Sequence, residues 1–349
     1  MKRLNNLWQQ IISFDNLLKA YQKAQRGKSQ KPLVAEFTLN LETELFSLQQ
    51  QLSDGSYQPG GYRLFTIYEH KPRTIAAAPF RDRVVHHALM NIIEPSLDKK
   101  FIYDSYACRK DKGVHKAVDR YQNWAKRYRY ALKMDIRQYF PSIDHLLLKE
   151  KLRRRIKDTK VLNLLDKLIN TAPPVELEIP TTRRTGIPIG NLTSQFLANL
   201  YLDDFDHYIK EQLNIRPYLR YVDDFIVLDD DKNRLHHIRE QIREYLVHNR
   251  LRLHPRKQHI VPTRQGLDVL GYFVYPHKRR LPNQNGHCFF RKLRRFAKAY
   301  AAGKIEWTDF NPIVQSWIGH AKHADTYALR EKIFSATLFH RNSEIKNEL

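Results

Sequence analysis

The sequence is poor in the residues that staple a chain or carry it across a bilayer. Cysteine occurs only as Cys108 and Cys288, which excludes a disulfide framework and a thiolate zinc site of the C-x-x-C kind, so free, reduced thiols are expected. No run approaches the ~18 consecutive apolar residues of a membrane span, and no basic-plus-apolar signal segment opens the chain. A soluble, cytoplasmic protein with no membrane partner is the expectation. The 16 histidines include the pairs His86-His87 and His236-His237, yet none takes the H-E-x-x-H spacing that sets metal ligands on one helical face. Acid is the scarce charge: 60 Lys and Arg stand against 37 Asp and Glu, a formal net charge of +23. Such a surplus makes a polyanion, nucleic acid first, the natural partner.

What is present is a foldable chain of 349 residues with 42% hydrophobic content, enough for one large core or several smaller ones. Helical periodicity runs over Leu7–Ala24, broken by Gly27–Pro32, and again over Leu39–Leu52, stopped by Ser53-Asp54-Gly55. Tyr62–Ile67 reads as strand, Asp82–Glu94 as helix, Tyr130–Ile136 as a short strand ending in an acid, and His145–Arg155 as a basic helix. A long helix is expected over Asn191–Leu213, entered from the loop Thr185–Gly190, whose glycines permit close backbone approach. A further helix spans Leu235–Arg250, and Gly266–Tyr275 reads as strand with a turn at its entry. Beyond Pro282, Arg291, Arg294, Arg295 and Lys298 fall on one helical face and Phe290, Leu293, Ala297 and Tyr300 on another, which marks a separate basic helical unit.

Within this basic text, Arg220-Tyr221-Val222-Asp223-Asp224-Phe225-Ile226-Val227-Leu228 sets two adjacent carboxylates between β-prone runs. The expectation is a tight hairpin exposing both acids; an ordinary Asp-Asp turn is the plain alternative. Asp135 ends the run Ala131–Asp135, where a strand-terminal cap is the alternative. Together these carboxylates can hold two Mg²⁺ ions about 4 Å apart for in-line phosphoryl transfer, with Mn²⁺ a possible substitute.

In this order the residues resemble the reverse transcriptases over most of the chain. Asp135 matches the first catalytic-acid motif, Tyr221-Val222-Asp223-Asp224 the Tyr-x-Asp-Asp box, and Gly186–Gln195 the nucleotide-pocket motif between them. Leu270-Gly271-Tyr272 resembles the primer-grip hairpin, and Lys257 the lysine region before it. The resemblance implies a right-hand polymerase of α+β class: N-terminal helices and fingers in 1–130, a palm with antiparallel sheet in 131–285, part of 145–185 joining the fingers, and a helical basic thumb in 286–349. It assigns metal binding to Asp135, Ile136, Asp223 and Asp224, and to Lys257 proton donation to departing pyrophosphate. Lys71 and Arg73 would hold the triphosphate of a dNTP, or form only a solvated basic strand. Phe140 would be the steric gate against a 2′-hydroxyl, or a core aromatic; Ile189, Gly190 and Gln195 would complete the pocket. Arg291, Arg294, Arg295 and Lys298 would track the RNA–DNA duplex, or simply face solvent.

Where many reverse transcriptases carry glutamine before the pocket glycine this chain has Ile189, and where they end in Ser-Pro it has Ser194-Gln195. That pattern resembles the diversity-generating retroelement branch, as do Arg81–Leu89, Ser105–Arg109, Phe140–Asp144, Ser316-Trp317, Gly319-His320 and Ala324–Thr326. The branch implies a structured template RNA, errors at template adenines, and a small basic helical partner, the accessory variability determinant. A retron, phage-defence or group II intron-like reverse transcriptase, or a non-catalytic RNA-binding scaffold, are the alternatives.

Overall fold

The computed structural model describes residues 3–68 and 72–341. The chain forms two compact units, Met1–Asp111 with Lys133–Ile226 and His236–Gln258, and Lys112–Leu132 with Val227–Leu235 and His259–Leu349. In chain order the elements begin with α1 (Trp8–Ile12), α2 (Phe14–Ala24), α3 (Pro32–Leu39), α4 (Leu41–Asp54), β1 (Arg63–Tyr68), β2 (Pro72–Ala77) and α5 (Phe80–Asp98). They continue with α6 (Val114–Ala125), β3 (Tyr130–Ile136), α7 (Tyr139–Ser142), α8 (His145–Arg155), α9 (Thr159–Asn170), α10 (Leu192–Tyr201) and α11 (Asp203–His207). After β4 (Tyr218–Tyr221), β5 (Asp224–Asp229), α12 (Lys232–His248) and β6 (Leu253–Pro262) come β7 (Leu267–Val269), β8 (Tyr272–Val274), β9 (Arg279–Arg280), α13 (Asn283–Ala301), α14 (Trp307–Ala321) and α15 (Tyr327–Ser335).

Three sheets are present among the described residues: β1-β2, β4-β5-β3-β6 and β7-β8-β9. In the four-stranded sheet the inner strands β3 and β5 are buried along most of their length, as expected of strands with a neighbour on either side. In the first unit α5 carries the buried residues Val84, Val85, Ala88, Leu89 and Ile93 and packs against α2. In the second, α13–α15 close around Phe289, Leu293, Phe310, Val314 and Ile333.

Several local expectations change. The helix expected over 7–24 is two helices, because Ser13 is extended (ψ 141°) and its hydroxyl caps α2 by accepting from the Asn16 amide. The break at Gly27–Pro32 also starts α3, whose first position is Pro32, where its missing N–H costs nothing. The expected helix over 191–213 is interrupted at Leu202 and finishes in a π-helical turn, Tyr208–Gln212. Gly266–Tyr275 is a hairpin rather than one strand: Leu270 and Gly271 take φ of 52° and 88°, the pair of positive values that closes a two-residue turn. α3, α6 and α9 lie beyond the helices expected from the sequence.

Candidate active site

The site is built at the ends of β3 and β5. Val222 and Asp223 alone connect β4 to β5, so the strands run antiparallel, and Val222 takes a φ of 56°. A β-branched residue in that region costs on the order of 1–3 kcal/mol unless its surroundings hold it. They do. Arg220 Nη1 donates to the Val222 carbonyl at 3.0 Å, and the Ile136 amide donates to the Asp223 carbonyl at 3.1 Å. The second bond ties the tip of β3 to the hairpin and brings buried Asp135 beside Asp223 and Asp224.

The electrostatics record that proximity. Burial, then repulsion from Asp135 and Asp224, pushes the Asp223 carboxyl up to about 6. Asp224 is also raised, first by burial; Lys133 opposes the shift and Asp135 adds to it. Lys257 Nζ reaches Asp135 Oδ2 at 2.7 Å. Burial would lower the lysine, but its hydrogen bond and attraction to Asp135 outweigh that and hold it protonated. Among the described residues no group of three or more His, Cys, Asp or Glu side chains is disposed to hold a metal ion as it stands. The donor chemistry still fits a hard cation: adjacent carboxylates, mutually destabilised and all oxygen. Asp135 is engaged by an ammonium that a divalent ion would displace. Ile136 is buried and apolar, so it could contribute only its backbone carbonyl.

Sequence reasoning missed the support beneath the hairpin. Arg220 and Asp206 are completely buried and joined by a bidentate pair, Nε to Oδ1 at 2.8 Å and Nη2 to Oδ2 at 2.6 Å. Tyr218 donates to Asp206 Oδ1 at 2.6 Å, and Arg220 reaches Asn199 Oδ1 at 3.2 Å and Ser105 Oγ at 3.3 Å. Burial works against the arginine's charge, but Asp206 more than offsets it. An arginine inside an otherwise β-prone run was the available signal; its partner lies 14 residues earlier with no fixed spacing to announce it.

The expected nucleotide-pocket residues gather in the same unit. The Ala76 amide of β2 donates to the Ile189 carbonyl at 3.1 Å, and Asn191 Nδ2 donates to the Ala76 carbonyl at 2.9 Å. Gly190 has a φ of +108°, and a Cβ there would lie 2.8 Å from Ile75 Cγ2, so glycine alone lets loop and strand meet. Arg73 is exposed on β2, while Lys71 lies outside the described residues. Half-buried Phe140 accepts from the Ile187 amide through its carbonyl at 3.1 Å, and Gln195 is exposed on the first turn of α10.

In the second unit, Leu270 and Gly271 form the β7–β8 turn. The Tyr272 ring is buried, and its hydroxyl donates to the His320 carbonyl at 2.9 Å. Arg291, Arg294, Arg295 and Lys298 are all exposed on α13, with Leu293 buried opposite. The faces expected from periodicity are therefore present.

Residues 66–274 match the family described as reverse transcriptase (RNA-dependent DNA polymerase). Protein YkfC of Escherichia coli strain K12 is 28% identical over 66% of this chain and 71% of its own length. The group II intron-encoded protein LtrA of Lactococcus lactis subsp. cremoris is 26% identical over 58% of this chain but 35% of its own length. The apo telomerase of Candida tropicalis superposes with a TM-score of 0.50 at 13% identity, covering 69% of this chain and 53% of that one. At that identity the likeness concerns the fold alone, a mixed helix-and-sheet right-hand polymerase. With the match covering more than half of its residues, the chain belongs to the reverse transcriptase family of RNA-dependent DNA polymerases.

Proposed function

We propose that this protein copies a retroelement's template RNA into cDNA. The convergence of Asp135 with Asp223 and Asp224, tied through the Ile136–Asp223 backbone bond, carries this reading. Asp135 and Asp223, with Asp224 and the Ile136 carbonyl adding oxygens, would hold Mg²⁺, or Mn²⁺ in its place. When bound, that pair supplies charge neutralisation and an acidified primer 3′-hydroxyl. The chain's residues do the positioning. Arg73 and Lys71 neutralise the dNTP triphosphate, Phe140 packs under the sugar, and Ile189, Gly190 and Gln195 border the base pair. Lys257 would donate the proton to the leaving pyrophosphate, a role its raised, protonated state supports. Leu270, Gly271 and Tyr272 form the primer grip, and Arg291, Arg294, Arg295 and Lys298 hold duplex phosphates. In domain terms, 1–130 serve as N-terminal helices and fingers, 131–285 as palm and 286–349 as thumb.

The motif Ile189–Gln195 favours the diversity-generating branch, with mutagenic copying of template adenines and an accessory variability determinant as partner. Its physical basis is that an isoleucine cannot donate the amide hydrogen bonds that help fix nucleotide and template. Exposed free thiols at Cys108 and Cys288 suit a reducing compartment such as the cytoplasm. Among the described residues no helix is long and apolar enough to cross a membrane.

One primer-extension assay on RNA tests both levels. Wild type with Mg²⁺, dNTPs, its native RNA and accessory protein should make cDNA, and the double change Asp223→Ala, Asp224→Ala should abolish it. No cDNA from wild type would favour an RNA-binding scaffold. Sequencing the products should show Ile189→Gln lowering misincorporation opposite adenine; an unchanged error rate would remove the fidelity argument.

A further inference from the structure

A cavity of ≈110 Å³ is lined by Arg137, Arg183, Arg250 and Arg252 together with Gln138 and Thr185. Two acids answer these guanidinium groups. Glu178 pairs with Arg137. Asp144 Oδ2 meets Arg250 at 2.8 Å and Arg183 at 3.6 Å, while its other oxygen caps α8 by accepting from Leu146 and Leu147. The guanidinium of Arg252 has no ion-pair or hydrogen-bond partner among the described residues. Arginine stays charged at any physiological pH, so the lining keeps a net surplus of positive charge.

The cavity adjoins the reaction centre through the backbone. Arg137 follows Asp135 and Ile136, and its amide donates to the Arg252 carbonyl at 2.8 Å. Arg252 in turn leads into β6, which delivers Lys257 to Asp135. The space, open to solvent on one side, equals three or four waters at about 30 Å³ each, room for one or two phosphoryl groups. Planar guanidinium forks match the oxygens of a phosphoryl group, two parallel N–H···O bonds at a time.

We propose that this arginine-lined cavity binds a phosphoanion, and that the pyrophosphate leaving the Asp135 site is its source. Arg137, two residues beyond Asp135 and bonded through its amide to the Arg252 carbonyl, favours the leaving pyrophosphate over a nucleic-acid backbone as that anion. The choice of source rests on the polymerase reading; the anion site does not.

Isothermal titration of the full chain with inorganic pyrophosphate in EDTA measures the site without metal or turnover. Wild type should bind, and the double reversal Arg183→Glu, Arg252→Glu should weaken binding at least about tenfold. Arg252→Ala alone, at an exposed side chain whose guanidinium has no partner among the described residues, should weaken it in the same direction while leaving the thermal melt unchanged. Equal affinity in wild type and both variants overturns the site. Absent pyrophosphate binding, with single-stranded RNA affinity falling in the double variant, overturns the pyrophosphate source in favour of a backbone phosphate. An enzyme inactive on primed RNA whose pyrophosphate binding still needs Arg183 and Arg252 would sink the polymerase reading and leave the anion site standing.

Discussion

At the scale of single residues the site is held in tension. Asp223 titrates near 6 against an ordinary value of 3.8, because burial and two neighbouring carboxylates oppose its charge. A carboxyl raised on folding gives stability that is complete below its unfolded value and is lost as pH rises through the folded one. Metal-free protein above pH 6 therefore carries carboxylate repulsion that Lys257 offsets only in part. Asp223→Asn should raise the metal-free melting temperature at pH 8, by an amount worth roughly 1–2 kcal/mol after screening, and the gain should vanish near pH 4. A melt at pH 8 no higher than wild type would mean the carboxylates are not crowded. Arg220 works in the opposite sense. Arg220→Ala leaves Asp206 charged and fully buried without its partner, and chemical denaturation should show a loss of about 3–5 kcal/mol. A loss under about 1 kcal/mol would show that the network does not support the turn.

At the scale of elements, legibility follows how local the determining physics is. β3 and α8 have the bounds expected from the sequence, since a β-prone run ending in Asp135 and a basic helical run are signals read within a few residues. Ser13 reads in sequence as part of a continuous helix because apolar spacing persists across it, while its capping bond depends on backbone geometry. The site is legible as motifs in order, but the groups fixing its geometry are not. Asp206 meets Arg220, and Arg252 meets Arg137, only after the strands pair. The basic face of α13 is legible as periodicity, and its exposure gives it one further expected property. Replacing Arg291, Arg294, Arg295 and Lys298 by alanine should weaken duplex binding uniformly across sequences. It should also flatten the slope of log affinity against log salt by about one for each phosphate no longer neutralised. An unchanged slope would assign that face to solvent.

At the scale of the whole molecule, a chain of formal net charge +23 brings Asp135, Asp223 and Asp224 together at the ends of β3 and β5. Under the proposed function the surplus of positive charge would draw in nucleic acid, and the small set of carboxylates would hold the metal within it. Under the same proposal Lys257 on Asp135 is the internal cation that a divalent ion would replace. The most direct measurement is a Mn²⁺ titration of the intact protein with a bound dNTP, followed by electron paramagnetic resonance at pH 7.5. The account predicts that Asp135→Asn and Asp223→Asn each weaken Mn²⁺ binding at least about tenfold. Equal Mn²⁺ affinity in wild type and both variants would contradict it.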